Sequence, residues 1–124
     1  MTIFVFGNQD LEFDSLPLRI LPELGRRFLK IIFEIKDPNE EFEVPDNLTI
    51  IDTVAGIDKV RIFNDLKYFA SHSHVSLHDF DLFSHLCYLQ KLGKLKTVRI
   101  IGVPMDADEK EALEEIARLL ASQF

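Results

Sequence analysis

Apolar runs closed by turn residues, alternating with apolar positions at helical spacing, divide this chain into strands and helices. Thr2 to Phe6 is a β-branched and aromatic run stopped by Gly7-Asn8, which predicts a buried first strand. Asp14 or Ser15 then caps a helix whose first turn accommodates Pro17, with Leu16, Ile20 and Leu24 on one face. Pro22 removes a backbone donor, so this helix is expected to kink or finish near Leu21. Phe28 to Ile35 reads as the second strand, followed by the polar stretch Lys36 to Glu41, whose Pro38 and Asn39 stop regular structure. Leu48 to Asp52 is short, apolar and therefore central. Lys59 to Phe63 follows after too few residues for a helical crossover, so it is expected to run antiparallel at an edge. Its Lys59 and Arg61 are charges of the kind that discourage further pairing there.

Ser76 and Asp79 form a variant capping box that opens a helix to about Leu92, with Phe80, Phe83, Leu86 and Cys87 inward. Thr97 to Val103 is a fifth strand ended by Pro104, and Asp106 with Glu109 caps a terminal helix carrying Leu113, Ile116, Ala117 and Leu120 on one face. The order β-α-β-β-β-α-β-α implies an α/β fold. The expected architecture is a three-layer α/β/α sandwich, phosphorylase/hydrolase-like, around a mostly parallel five-stranded sheet with one antiparallel edge strand.

Length and composition narrow the function classes. A chain of 124 residues with 11 Phe and 47% hydrophobic residues supplies one core, so a single domain spanning 1–124 is expected. The net charge of -7 disfavours nucleic acid and anionic lipid as partners. Cys87 is the only cysteine, which removes an internal disulfide and makes a small core residue the simplest role for it. Met1 to Phe6 lacks the basic region of a signal peptide, and no apolar stretch approaches the roughly 20 residues that span a bilayer. A cytoplasmic protein without membrane insertion is expected.

Candidate chemistry collects at strand ends and helix starts, where open α/β sheets gather their ligand-binding groups. Asp14 begins the first helix, Asp52 ends the third strand, and His78 lies in the first turn of the second helix. Two carboxylates and an imidazole suit a divalent first-row metal and leave coordination positions open. Taken singly, each also fits a cap, a strand end or a surface residue. His72 and His74 stand nearby as an H-x-H pair that reads most simply as a solvated loop. His85, two turns after His78, is too far along the helix to share its ion.

Gly7-Asn8, Asp14, Leu18-Arg19-Ile20, Ile50-Ile51-Asp52, Ser76 to Leu82 and Ile100 to Pro104 occur in the order and approximate spacing of the nickel-iron hydrogenase maturation proteases. The chain resembles that family over nearly its whole length. The resemblance implies an endopeptidase that removes the C-terminal extension of a nickel-loaded hydrogenase large-subunit precursor. It further implies that Asp14, Asp52 and His78 are the metal ligands, with Gly7, Asn8 and Asp37 near the substrate. The metal would be nickel supplied with the substrate, or another divalent ion, and would test whether the precursor is loaded.

The chain departs from the family pattern at Asp10, Phe13 and Pro17. The family's Asp-Gly-Gly-Thr loop with its following helix is replaced by Asp37-Pro38-Asn39-Glu40. Proline in place of glycine removes a backbone donor and positive φ, so the loop binds differently here. A non-catalytic relative that binds nickel or a nickel-bearing hydrogenase partner is the alternative. A nucleotide-binding module is the weaker rival, because Gly7 to Leu11 has neither a G-x-G-x-x-G pattern nor a phosphate-binding lysine.

Overall fold

The computed structural model describes residues 1–11, 14–37, 40, 42–67 and 77–123, with the backbone alone for 77–82. The strands are β1 (Thr2–Val5), β2 (Ile32–Ile35), β3 (Asn47–Val54), β4 (Arg61–Phe63) and β5 (Thr97–Pro104). The helices among the described residues are α1 (Leu16–Arg27), α2 (Leu77–Lys91) and α3 (Glu109–Gln123). The strands form one sheet in the order β2-β1-β3-β5-β4. β1 pairs in parallel with β2 and β3, β3 pairs in parallel with β5, and β4 runs antiparallel to β5 at the edge.

Side chains alternate across the sheet, so each central strand feeds two cores. Ile3, Val5, Ile51, Ile101 and Val103 pack under α1 and α3, meeting Leu16, Ile20, Leu24, Ala112, Ile116 and Leu120. Phe4, Phe6, Leu48, Ile50, Val98 and Ile100 face the opposite layer, where Phe83 and Leu86 of α2 cover them. Cys87 is half-buried against this second core, as a small apolar residue would be. The crossover from β2 to β3 lies on the α2 side and has no helix among its described residues. Phe42 and Val44 pack against the core in its place, Phe42 meeting the rings of Phe4 and Phe6 at 5.7 and 5.8 Å.

Several boundaries differ from the sequence reading. β3 does not end at Asp52; its pairing with β5 continues through Thr53 and Val54 opposite Val103 and Pro104, so Asp52 lies within the strand. β4 begins at Arg61 rather than Lys59. α1 does not finish near Leu21; it runs through Pro22 to Arg27. Pro22 stands on the exposed side of the helix, while burial of Leu16, Ile20 and Leu24 each contributes roughly 1.5–3 kcal/mol, enough together to outweigh the local cost of the proline. Phe28 to Ile31 are not strand. The Phe28 N–H closes the helix on the Leu24 carbonyl, and β1 offers pairing only from Thr2, which stands opposite Ile32. Finally, α3 is capped by Asp108 rather than Asp106: its Oδ2 accepts the Glu111 N–H at 3.1 Å.

Candidate functional site

The sheet reverses its direction of growth between β1 and β3. The chain leaves β1 through α1 to reach β2 on one side, then crosses back to β3 on the other. At such a switch point the loops part above the C-terminal strand ends and leave a crevice. Asp14 follows β1 and Asp52 lies in β3, the two strands on either side of that switch point. The Phe6 N–H donates to the Ile51 carbonyl at 2.9 Å, which holds Gly7 beside the part of β3 that carries Asp52, two residues before the strand ends.

Gly7 leads directly to Asp14. The Asn8 N–H donates to the Asp14 carbonyl at 2.9 Å, the Leu11 N–H to the Asn8 carbonyl at 3.2 Å, and the Asp14 N–H to the Leu11 carbonyl at 3.0 Å. The Asn8 side chain completes the turn by accepting the Asp10 N–H on Oδ1 at 2.9 Å. A Cβ at position 7 would stand 2.9 Å from the Asp14 carbonyl oxygen and 3.1 Å from Leu18 Cγ, so glycine is what lets the loop close on the strand end. Asp14 thus enters α1 on a backbone fixed at both ends. Ser15 takes the N-cap position, but its hydroxyl accepts from Arg19 Nε at 3.1 Å rather than from a backbone N–H.

Asp52 is 1% exposed, and its Oδ1 accepts the Thr53 N–H at 2.8 Å. Its side chain belongs by alternation to the α2 face, shared with Ile50 and Val54. Gly102 of β5 is its direct neighbour in the ladder. A Cβ there would lie 2.8 Å from Phe63 Cε2 and 2.9 Å from Val54 Cγ2, so the glycine gives the Phe63 ring and Val54 their place alongside the buried carboxylate. Burying a carboxylate is costly unless hydrogen bonds or a cation offset it, and the Thr53 N–H supplies one such bond.

His78 lies in the first turn of α2, with its side chain outside the described residues; His72, His74 and Ser76 lie outside them altogether. α2 is joined through Leu92 to Lys96 to the start of β5, and Phe83 and Leu86 hold it on the sheet face that Asp52 shares. Asp37 is exposed just beyond the end of β2, its carbonyl accepting the Glu40 N–H at 3.0 Å. Among the described residues, no three His, Cys, Asp or Glu side chains are grouped to hold a metal.

No protein-family model and no curated protein matches the sequence. Solved structures do match. Hydrogenase maturating endopeptidase HybD from E. coli superposes at a TM-score of 0.61 with 20% identity, over 99% of this chain and 94% of that one. An endopeptidase from Escherichia coli, solved in solution, gives 0.64 and 20% over the same shares, 99% and 94%. The hydrogenase 3 maturation protease gives 0.68 and 18% over 97% and 88%. The chain has the fold of the hydrogenase maturation endopeptidases.

On this maturation-endopeptidase fold, two features escape a reading of the sequence. Thr53 is 6% exposed beside Asp52, and its hydroxyl has no hydrogen-bond partner among the described residues. In sequence it is one more β-branched residue of an apolar run, and nothing marks it as polar and enclosed. The second is a cavity of about 290 Å³ between the β3–β4 connection and the head of α3, lined by Asp58, Asp106, Asp108, Glu111 and Glu115. Asp108 there caps α3, and Glu115 accepts the Val60 N–H at 3.0 Å, so both have structural work apart from Asp14 and Asp52. No helix among the described residues is long and apolar enough to cross a membrane.

Proposed function

We propose that this protein is a cytoplasmic hydrogenase maturation endopeptidase that removes the C-terminal extension of a nickel-loaded large-subunit precursor. One observation carries the reading: this chain shares its fold, over nearly its whole length, with maturation endopeptidases. Asp14, Asp52 and His78 are the ligands that meet the nickel of the precursor. Their oxygen and nitrogen donors suit a divalent first-row ion, and three protein ligands leave room for those of the precursor. Nickel is in this reading part of the substrate. Recognising it ties cleavage to loading and holds the tail near the crevice, where Gly7, Asn8 and Asp37 border the bound chain.

The test is release of the extension, followed by intact mass, from nickel-loaded and nickel-free precursor. Cleavage of the loaded form alone is expected, with Asp52→Asn and His78→Ala each slowing it at least about 100-fold while the urea midpoint stays within the range of a surface change. Unchanged processing by both variants sinks the ligand assignment. A second reading is favoured by the β2–β3 connection, where proline replaces the family's glycine and no helix is present among the described residues. In that reading the protein binds the loaded precursor without cutting it. Nickel-dependent binding with no released peptide would establish it.

A further inference from the structure

The two edges of the sheet are guarded unequally. β4 is three residues long, its Arg61 is exposed, and exposed Lys59 precedes it. Cations at a sheet border discourage a further strand. β2, at the other edge, presents Ile32 at 58% and Ile35 at 57% exposure, and Leu29 in the preceding turn is 86% exposed. The charge within β2 is Glu34, whose Oε2 is paired with Lys36 Nζ at 3.2 Å.

Pairing with β1 decides which β2 groups face outward. The Ile32 N–H donates to the Met1 carbonyl at 2.8 Å and the Lys36 N–H to the Val5 carbonyl at 2.9 Å. Alternate residues of a parallel strand address the same neighbour, so the peptide groups of Phe33 and Ile35 point away from β1. Ile31 and Phe33 pack on the α1 side of the sheet, and alternation puts Ile35 on that side as well.

We propose that two copies of this chain join edge to edge through β2, antiparallel, about a two-fold axis normal to the sheet. Such an axis sets residues of one face opposite residues of the same face, and a strand of four residues then has two central registers. One centres on Glu34 and brings that carboxylate directly opposite its copy at the closer, non-hydrogen-bonded spacing, which is unfavourable. The other centres on Phe33. It lets the outward peptide groups of Phe33 exchange both hydrogen bonds with their copies, sets Ile35 opposite Ile31 of the second copy, and makes one apolar row across the joint. On the other face Ile32 stands opposite Glu34, while at the two ends exposed Lys30 meets Lys36, which is half-buried over the Phe4 ring and already paired with its own Glu34. A joint this short covers less than the roughly 1,200–2,000 Å² of a stable complex, so the association is weak and depends on concentration.

Sedimentation equilibrium of the full chain from about 1 to 500 µM is expected to show the mass rising with concentration from monomer toward twice that value. Ile35→Pro deletes an outward N–H and leaves the bonds to β1 in place, so it weakens association at least about 10-fold while far-UV circular dichroism is unchanged. Ile35→Lys keeps the N–H but charges the apolar row, with the same loss. Amide exchange gives an independent reading: the Phe33 and Ile35 amides of the wild type slow as concentration rises, whereas the Phe33 amide of Ile35→Lys does not. A mass that stays monomeric to the highest concentration, or a dimer indifferent to both variants, overturns the proposal. It is likewise overturned if those amides slow only when an extended peptide of a precursor tail is added, since the edge then receives a strand of another protein.

Discussion

Gly7 and Gly102 show how the candidate site depends on atoms that are missing rather than present. Gly7 allows the strand end to lie against the Asp14 carbonyl, and Gly102 gives the Phe63 ring its place beside Asp52. Gly7→Ala sets a methyl 2.9 Å from a backbone oxygen that is itself bonded to the Asn8 N–H, so the loop has to shift. A loss of about 1–3 kcal/mol in stability is expected from such overpacking, read from the urea midpoint. Because the displaced atom belongs to Asp14, precursor processing should fall by more than the stability loss explains. At this scale the sequence was informative about acids and uninformative about space. Asp14 and Asp52 stand out in the sequence because a carboxylate after an apolar run or before a helical one is a local signal, yet that signal placed the end of β3 two residues too early, since Thr53 and Val54 still pair with β5. The neighbour of Asp52 is fifty residues away in sequence, and only the β3–β5 register reveals it.

Helix α1 sets local propensity against tertiary packing. Pro22 leaves the Leu18 carbonyl without its usual helical donor and crowds it, a cost of about 3 kcal/mol relative to alanine in a helix interior. The apolar stripe of Leu16, Ile20 and Leu24 keeps the helix whole, aided by Arg26 and Arg27 in the last turn, where positive charge suits the helix dipole. Pro22→Ala should therefore stabilise the protein by about 1–3 kcal/mol, the upper part being reduced by the freedom that alanine restores to the unfolded chain. An unchanged or lower thermal midpoint would mean that the proline sits without strain. The same contest explains which elements were readable. β1, β3 and β5 are central, and their apolar runs state their own positions. The beginning of β2 and the end of α1 depend on where β1 begins to pair and on what the helix buries, and neither is encoded in the local pattern of Phe28 to Ile31.

The molecule as a whole is fastened on its α1–α3 side by charges that span the two helices. Arg19 reaches Glu109 at 3.4 Å near the head of α3, and Arg27 joins Glu23 at 3.0 Å and Glu114 at 2.9 Å farther along. Hydrogen bonds from Arg26 and Arg27 hold the Glu23 carboxyl below its usual range, and Arg27 does the same for Glu114. A carboxylate whose pKa is lower folded than unfolded stabilises the fold above the ordinary glutamate range and loses that contribution as pH falls through the lowered value. The groups are exposed, so the effect is small and screened by salt. It has to be separated from a second trend. At neutral pH the net charge of -7 repels itself, and acid relieves that repulsion. Arg27→Met isolates the fastening, because wild type and variant share nearly all of the remaining charge. The gap between their urea midpoints is expected to favour the wild type at about pH 7, to narrow as pH falls below the ordinary glutamate range, and to narrow again at neutral pH in high salt. A gap that keeps its size from about pH 7 to about pH 3 would show that Arg27 holds α1 to α3 by packing of its stem, with the carboxylates contributing nothing to the fold.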